Sequence, residues 1–407
     1  MSDRLPIYLD NNATTPIHPE VVEKIQKSLH QDWANPSSSY DRGLKVRNEI
    51  LKARKSVSQM IGGPLSDDMV NESITFTSGG TESNHLVINS AIDCFKKACI
   101  RENGSIKKPH IVTTNIEHVA IENPLKAYEN EGKIHVTYVE VEDGRATEKD
   151  ILEAIRENTC LVTIMMANNE TGIINPIGDI MRRVKVLNKN RKFPILTHTD
   201  AAQAIGKISV DVKDLFVDYL TIVGHKFYGP RIGALYHNAK LGSISPYFLG
   251  GNQEFGRRAG TENTPMIVGL GKASELISTK NGSISYTQHQ LELRIQLENG
   301  LRDNLGSSNV HINFESQERL PNTCSVSFPH VDSGRELLNC LSGLVDASTS
   351  AACHSASVCG SGILTKSGLD PELARRTVRL SVGKFTTKKD IDIAVRNIVE
   401  AVKSFHK

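Results

Sequence analysis

The chain has 407 residues, 39% hydrophobic and 23% charged, with a formal net charge of +2. That is the composition of an ordinary globular protein with room for more than one domain, and nothing in it marks a nucleic-acid binder. The most basic run, MRRVKVLNKNRK, reads as one solvated helix face. No apolar stretch approaches the ~18 residues needed to span a bilayer, and MSDRLPIYLD lacks a signal or transit pattern. The expectation is a cytosolic protein with no nucleic-acid or membrane partner.

In chain order, DNNATTP comes first and has no strand–helix context of its own, so it is expected to run against a second domain or a site. From about Asn71 the pattern alternates. SITFTS reads as a strand and GGTESNHLVINSAIDCFKKA as a helix; HIVTTN and HVAIENPLKAYENEG repeat the pair. IHVTYVEV is a strand, and TEKDILEAIREN a helix with Thr147 as its N-cap. TCLVTIMMAN, PILTHTDAA and YLTIVGHK are further strands. Strands alternating with helices of this length predict a mostly parallel sheet with its site at the carboxyl ends of the strands. Near residue 265 the character changes. Two helices, the strands TCSVSF and TVRLSVG, a Ser/Ala/Gly-rich loop and a final helix predict a smaller α+β domain. The expected division is 16–264 for the large domain, and 1–15 with 265–407 for the small one.

The seven cysteines are Cys94, Cys99, Cys160, Cys324, Cys340, Cys353 and Cys359, an odd number with no Cys-x-x-Cys pair. This pattern predicts free thiols and no metal site. Cys353 stands apart because its loop of small residues, STSAACHS, is a poor place to bury a thiol for packing.

Several residues carry candidate chemistry. In TFTSGGTES a strand meets Gly79-Gly80-Thr81 and a helix start, where free N–H groups favour an anion. The Gly-Lys-Ser/Thr ending of a P-loop is missing. Asp200 ends an apolar strand with Gln203 three residues on; it either caps the next helix or faces a cationic ring nitrogen. Lys226 ends the next strand, either as a surface lysine or as one held to react with a carbonyl. His118 follows a strand, as a structural residue or a proton shuttle. Arg379 interrupts an apolar strand and needs a salt-bridge partner or a substrate carboxylate. A phosphate cradle, an acid for a pyridinium and a strand-end lysine are together the parts that pyridoxal phosphate requires.

The motifs YLDNNATTP, ANPSS, TFTSGGTESN, EHVAI, NNETG, HTDAAQA, GHKFYGPRIGALY, RRAGTENTP, LPNTCSVSF, SAACHS and RLSVGKFTT together resemble the class V aminotransferase superfamily, within it the cysteine desulfurase and selenocysteine lyase group. The resemblance spans nearly the whole chain. It implies the fold type I of pyridoxal phosphate enzymes: an α/β large domain with a mostly parallel, seven-stranded-type sheet flanked by helices, plus the smaller α+β domain. Carried onto this chain, it implies that Lys226 bonds the aldehyde and Asp200 pairs with the ring nitrogen. Gln203 would reach the ring oxygen and His118 stack on the ring, while Gly80, Thr81 and His225 hold the phosphate. Thr261 would reach the phosphate of a second subunit, making a homodimer with shared sites. Asn169, Arg379 and Asn35 would bind the substrate carboxylate, and Cys353 would act over the substrate side chain. The implied activity is release of selenium from L-selenocysteine to leave L-alanine, with a selenium acceptor protein as a candidate partner. The alternative is a cysteine desulfurase that carries sulfur on Cys353, for example to iron–sulfur assembly. Departures from the pattern are Asn252, where a glycine is usual, Val223, where desulfurases carry a serine, and the stretch after Cys353.

Overall fold

The computed structural model describes residues 5–103, 107–238, 244–278, 282–349 and 362–405. Cys353 and Cys359 lie outside them.

Among the described residues, twelve strands form three sheets. β1 (Ile7–Tyr8) pairs with β11 (Val345–Asp346), and β9 (His311–Ile312), β10 (Thr323–Ser327) and β12 (Thr377–Ser381) make an antiparallel sheet. The largest sheet has seven strands in the order β2-β8-β7-β6-β5-β3-β4. Its members are β2 (Ile74–Thr77), β3 (His110–Thr114), β4 (His135–Val139), β5 (Thr159–Met165), β6 (Leu196–Asp200), β7 (Tyr219–Val223) and β8 (Gly233–His237). All are parallel except β8, which runs antiparallel to both β2 and β7. The alternating sequence pattern is therefore met by the expected mostly parallel seven-stranded sheet.

Every residue of β2, β3, β5, β6, β7 and β8 is buried. That is why these strands read as near-continuous runs of β-branched and apolar residues: a parallel sheet is covered on both faces. Helix Gly80–Asn103 packs over β5, β7 and β8. Helix Glu148–Glu153 starts at Thr147, whose side chain accepts the Asp150 N–H as the sequence predicts. Helix Thr264–Ser278 lies on helices Pro19–Gln31 and Asp41–Met60.

The apolar core falls into separate clusters. One, including Val46, Ile164, Ile222 and Leu270, lies on one side of the large sheet. Another, including Leu86, Ile111 and Tyr219, lies under helix Gly80–Asn103. A third joins Ile7 and Leu9 to Leu297, Val326, Leu380 and Ile398. The N-terminal segment thus packs with the C-terminal part of the chain. Beyond β1, Asp10 bridges to Ser381 and Asn12 N–H donates to Ser381 Oγ. This bond delivers the Asn12-Ala13 backbone to the carboxyl edge of the large sheet. No helix among the described residues is long and apolar enough to cross a membrane.

Candidate active site

A cavity of about 280 Å³ opens at the carboxyl ends of β6 and β7. Its lining includes Gly80, Thr81, His118, Asn169, Asp200, Gln203, His225, Lys226 and Arg379, all singled out by sequence. Asn12, Ala13, Asn84 and Val223 line it as well.

Lys226 sits in a single helical turn, Gly224–Lys226, directly after β7. The turn needs its glycine: a Cβ on Gly224 would lie 2.6 Å from the Pro230 carbonyl oxygen. Lys226 Nζ donates to the carbonyls of Asn12 at 2.8 Å and Ala13 at 2.7 Å. The lysine is therefore aimed inward by backbone from the far end of the chain. Asp200 ends β6, the strand beside β7, so parallel pairing brings the two together. Its Oδ1 accepts the Ala202 N–H at 2.9 Å and its Oδ2 accepts Asn84 Nδ2 at 2.8 Å. Asp200 therefore faces the cavity, and instead of capping a helix it accepts from the first N–H of a run of turns, because no helix follows β6 until Val212.

Gln203 donates from Nε2 to the Asn12 carbonyl at 3.0 Å and accepts Lys207 Nζ on Oε1 at 2.8 Å. Lys207 is wholly buried, and that burial, with Lys226 and Arg379 adding to it, pulls its pKa well below the usual lysine value. His118 caps helix Val119–Asn130, its Nδ1 accepting the Ala120 N–H at 3.1 Å. In the neutral ring this leaves the proton on Nε2. Before it, Glu117 is buried with both carboxylate oxygens 3.0 Å from the Met165 N–H, and Thr114 Oγ1 donates to it at 2.6 Å. Burial raises the Glu117 pKa to about 8 against the pull of those bonds, and Asp200 adds to the rise.

Gly80 opens helix Gly80–Asn103, and a Cβ there would meet Val223 Cγ2 at 2.6 Å. Glycine therefore keeps the approach to this helix N-terminus open. His225 is half-buried beside it, its Nδ1 3.1 Å from Thr14 Oγ1. Burial first, and then Lys226, Arg231 and Lys207, lower its pKa to about 4, so it is a neutral ring. On the far side Arg379 is buried, donating from Nη1 to the Asn169 carbonyl at 2.9 Å and from Nη2 to Asp10 Oδ1 at 2.5 Å. Its Nε has no partner among the described residues. Asp10 also accepts Ser348 Oγ at 2.8 Å.

Two candidates lie elsewhere in this chain. Asn35 is exposed and caps Ser37 N–H through Oδ1 at 2.9 Å. Thr261 lines a separate surface hollow with Phe248, Leu249, Gly251 and Gly260. Its loop is anchored by Arg258 to Glu82 at 2.9 Å, and by a buried bidentate pair, Arg54 with Glu254, at 2.6 and 2.8 Å. Asn252 starts that loop's turn by accepting the Gly256 N–H on its carbonyl at 3.3 Å. Sequence reasoning passed over Asp10, Asn12, Asn84, Glu117, His198, Lys207 and Thr221. His198 carried a readable signal, since it lies two residues before Asp200 on the same face of β6, and Asp10 and Asn12 lie in DNNATTP, the stretch expected to run against a second domain or a site.

The residues present fit pyridoxal phosphate. A lysine amine, a hydrogen-bonded carboxylate, an amide donor and a glycine-opened helix N-terminus share one cavity. The fold and site thus define a pyridoxal phosphate enzyme of the type I architecture. The sequence matches the family Aminotransferase class-V over residues 7–393, and the chain belongs to that family. It is 46% identical to the selenocysteine lyase of Homo sapiens, over 97% of this chain and 92% of that one. It is 38% identical to cysteine desulfurase IscS of Methanosarcina thermophila, over 97% and 92%. Among solved structures, a NifS-like protein superposes with a TM-score of 0.85 at 33% identity, covering 98% of this chain and all of that one.

Proposed function

We propose that this chain is a selenocysteine β-lyase, releasing selenium from L-selenocysteine and leaving L-alanine. The observation that carries the reading is its 44–46% identity to vertebrate selenocysteine lyases against 38% to the desulfurases. The shared cavity of Lys226, Asp200, Gln203 and Arg379 supports it.

When bound, pyridoxal phosphate supplies an aldehyde carbon for an amine and a ring that takes up electron density from the substrate's α carbon. Lys226 would hold the cofactor at that aldehyde, and its Nζ would take the α-proton. Asp200 would face the ring nitrogen and Gln203 Nε2 would donate to the ring oxygen. Gly80, Thr81 and neutral His225 would hold the phosphate with N–H donors. His118 would pack on the ring and move a proton at Nε2. Arg379 and Asn169 would orient the substrate carboxylate. A selenol is more acidic than a thiol, so the substrate selenium is already a selenolate at neutral pH. The C–Se electron pair would stay on the β carbon, which takes a proton to give alanine, and selenium would leave at the zero oxidation level. Cys353 would serve as an acid or as a selenium acceptor.

We further propose a homodimer in which Thr261 reaches the partner subunit's phosphate and Asn35 the shared substrate site. Support comes from the apolar surface beside Thr261, where Leu249 is 85% and Phe248 48% exposed. The units 16–264, and 1–15 with 265–407, are proposed as the two working domains, although helix Thr264–Ser278 buries its face in the first core. A cytosolic setting and a selenium acceptor protein complete the reading.

The deciding experiment compares turnover on L-selenocysteine and L-cysteine with purified protein. Strong preference for selenocysteine is expected. Equal kcat/KM on both would replace this reading with the desulfurase one, in which Cys353 carries a persulfide. Protein that is colourless and gains no colour with pyridoxal phosphate would sink both.

A further inference from the structure

Asp200 is the last member of a longer chain of hydrogen bonds through the sheet. Thr163 Oγ1 on β5 lies 2.8 Å from His198 Nδ1 on β6. His198 Nε2 lies 3.1 Å from Thr221 Oγ1 on β7. Thr221 Oγ1 donates to Asn84 Oδ1 at 2.6 Å, and Asn84 Nδ2 donates to Asp200 Oδ2 at 2.8 Å. All five side chains are buried.

The polarity of this chain has one solution. A carboxylate only accepts, so Asn84 presents its amino group to Asp200 and its carbonyl to Thr221. Thr221 has a single hydroxyl hydrogen and uses it on Asn84, so toward His198 it can only accept. His198 therefore carries its proton on Nε2, and Nδ1 accepts from the Thr163 hydroxyl. Burial keeps the ring neutral, lowering its pKa to about 4, so the ring has one hydrogen and not two. Every hydrogen in the series points toward Asp200. Aligned donors polarise one another and favour negative charge at the accepting end.

We propose that His198 is a positioning residue which, through Thr221 and Asn84, orients the Asp200 carboxylate and favours its negative charge opposite the cofactor's ring nitrogen. The inference rests on the reading of Asp200 as that nitrogen's partner. It is independent of whether selenium or sulfur is removed.

The test measures Kd of the full-length apoprotein for pyridoxal phosphate and for its 1-deaza analogue, in which C–H replaces the ring nitrogen. His198→Leu and Thr221→Val are each expected to weaken pyridoxal phosphate by about tenfold, the scale of a hydrogen bond to a charged group. The double variant should be no weaker than either single one, because a break at Thr221 already disconnects His198. His198→Gln, which keeps a donor toward Thr221, should recover most of the loss. Against the deaza analogue each variant should bind within about twofold of the parent, since no ring charge remains to be paired. Equal losses for both ligands would reduce the network to packing and overturn the proposal, as would unchanged Kd for pyridoxal phosphate. Thr221→Val is nearly isosteric and carries the test alone if His198→Leu does not fold. A parent protein that binds neither ligand would remove the cofactor reading itself; a parent that binds both with variants unchanged would remove only the relay.

Discussion

The two walls of the cavity are assembled differently. Asp200 and Lys226 stand at or just beyond the ends of adjacent parallel strands, and β6–β7 pairing brings those ends together. Arg379, across from them, comes from the small antiparallel sheet and is held by Asp10 and by the Asn169 carbonyl. The wall assigned to the cofactor is thus local to one sheet. The wall assigned to the substrate exists only where remote parts of the chain meet. Asn12 joins the two, receiving both Lys226 and Gln203 on its carbonyl and bonding Thr323 Oγ1 at 2.9 Å through Nδ2. A single-sheet wall should tolerate change around it and fail only at its reacting groups. A composite wall should weaken when any holder is lost.

The sharpest case on the first wall is Lys226→Ala. If Nζ takes the α-proton, alanine release from selenocysteine falls by about 10³-fold or more. The fold should be retained, because the side chain is half-buried and no core cluster includes it. Steady-state turnover with circular dichroism checks both halves. Appreciable turnover in the variant would show that the proton moves elsewhere.

On the composite wall the corresponding change is Asp10→Asn. It leaves the Arg379 guanidinium, 3% exposed, without its charge partner. Breaking a buried pair on one side costs about 3 kcal/mol, and partial exposure of Asp10 puts the value at or below that. Urea unfolding should show the loss. KM for substrate should rise more than kcat falls, because the displaced guanidinium is the group assigned to the carboxylate. A stability loss with KM unchanged would separate Arg379 from substrate binding.

Beneath the first wall, Glu117 gives a pH signature. Its pKa rises from 4.5 to about 8 on folding, so between those values the folded state holds more protons than the unfolded one. Stability from this group is therefore full below about pH 4.5 and declines as pH rises toward 8. Glu117→Gln removes the titration, and the melting temperature of the variant should fall less steeply than the parent's across that window. Parallel profiles would mean that the Met165 and Thr114 bonds hold the carboxylate ionised throughout.

What could be read from sequence follows the same division. Asp200 and Lys226 end runs whose apolar pattern stops at them, so a strand and its tip were both legible. Arg379 was legible as a charge inside TVRLSVG, but its partner Asp10 lies 369 residues away, and pairing over that distance leaves no local pattern. Asn84 and Thr221 look like ordinary residues of a helix and a strand; only the fold turns them into a link to Asp200. Asn35 and Thr261 were named by resemblance alone, and in a single chain both stand outside the cavity.

Val223 tests whether the walls act separately. The sequence marks it as a departure from the desulfurases, which favours the selenium branch by likeness. Its geometry belongs to the first wall: Cγ2 approaches Gly80 at the helix N-terminus assigned to phosphate. Serine there would add a hydroxyl facing that anion, and one hydrogen bond of about 1 kcal/mol tightens pyridoxal phosphate a few-fold. The lost methyl groups would lower fold stability by about 1 kcal/mol. The ratio of kcat/KM for selenocysteine to that for cysteine should stay within about twofold, because the phosphate end carries no contact assigned to the departing atom. A larger fall in that ratio would mean that the phosphate anchor sets how the substrate's side chain is presented, and the two walls would then have to be treated as one.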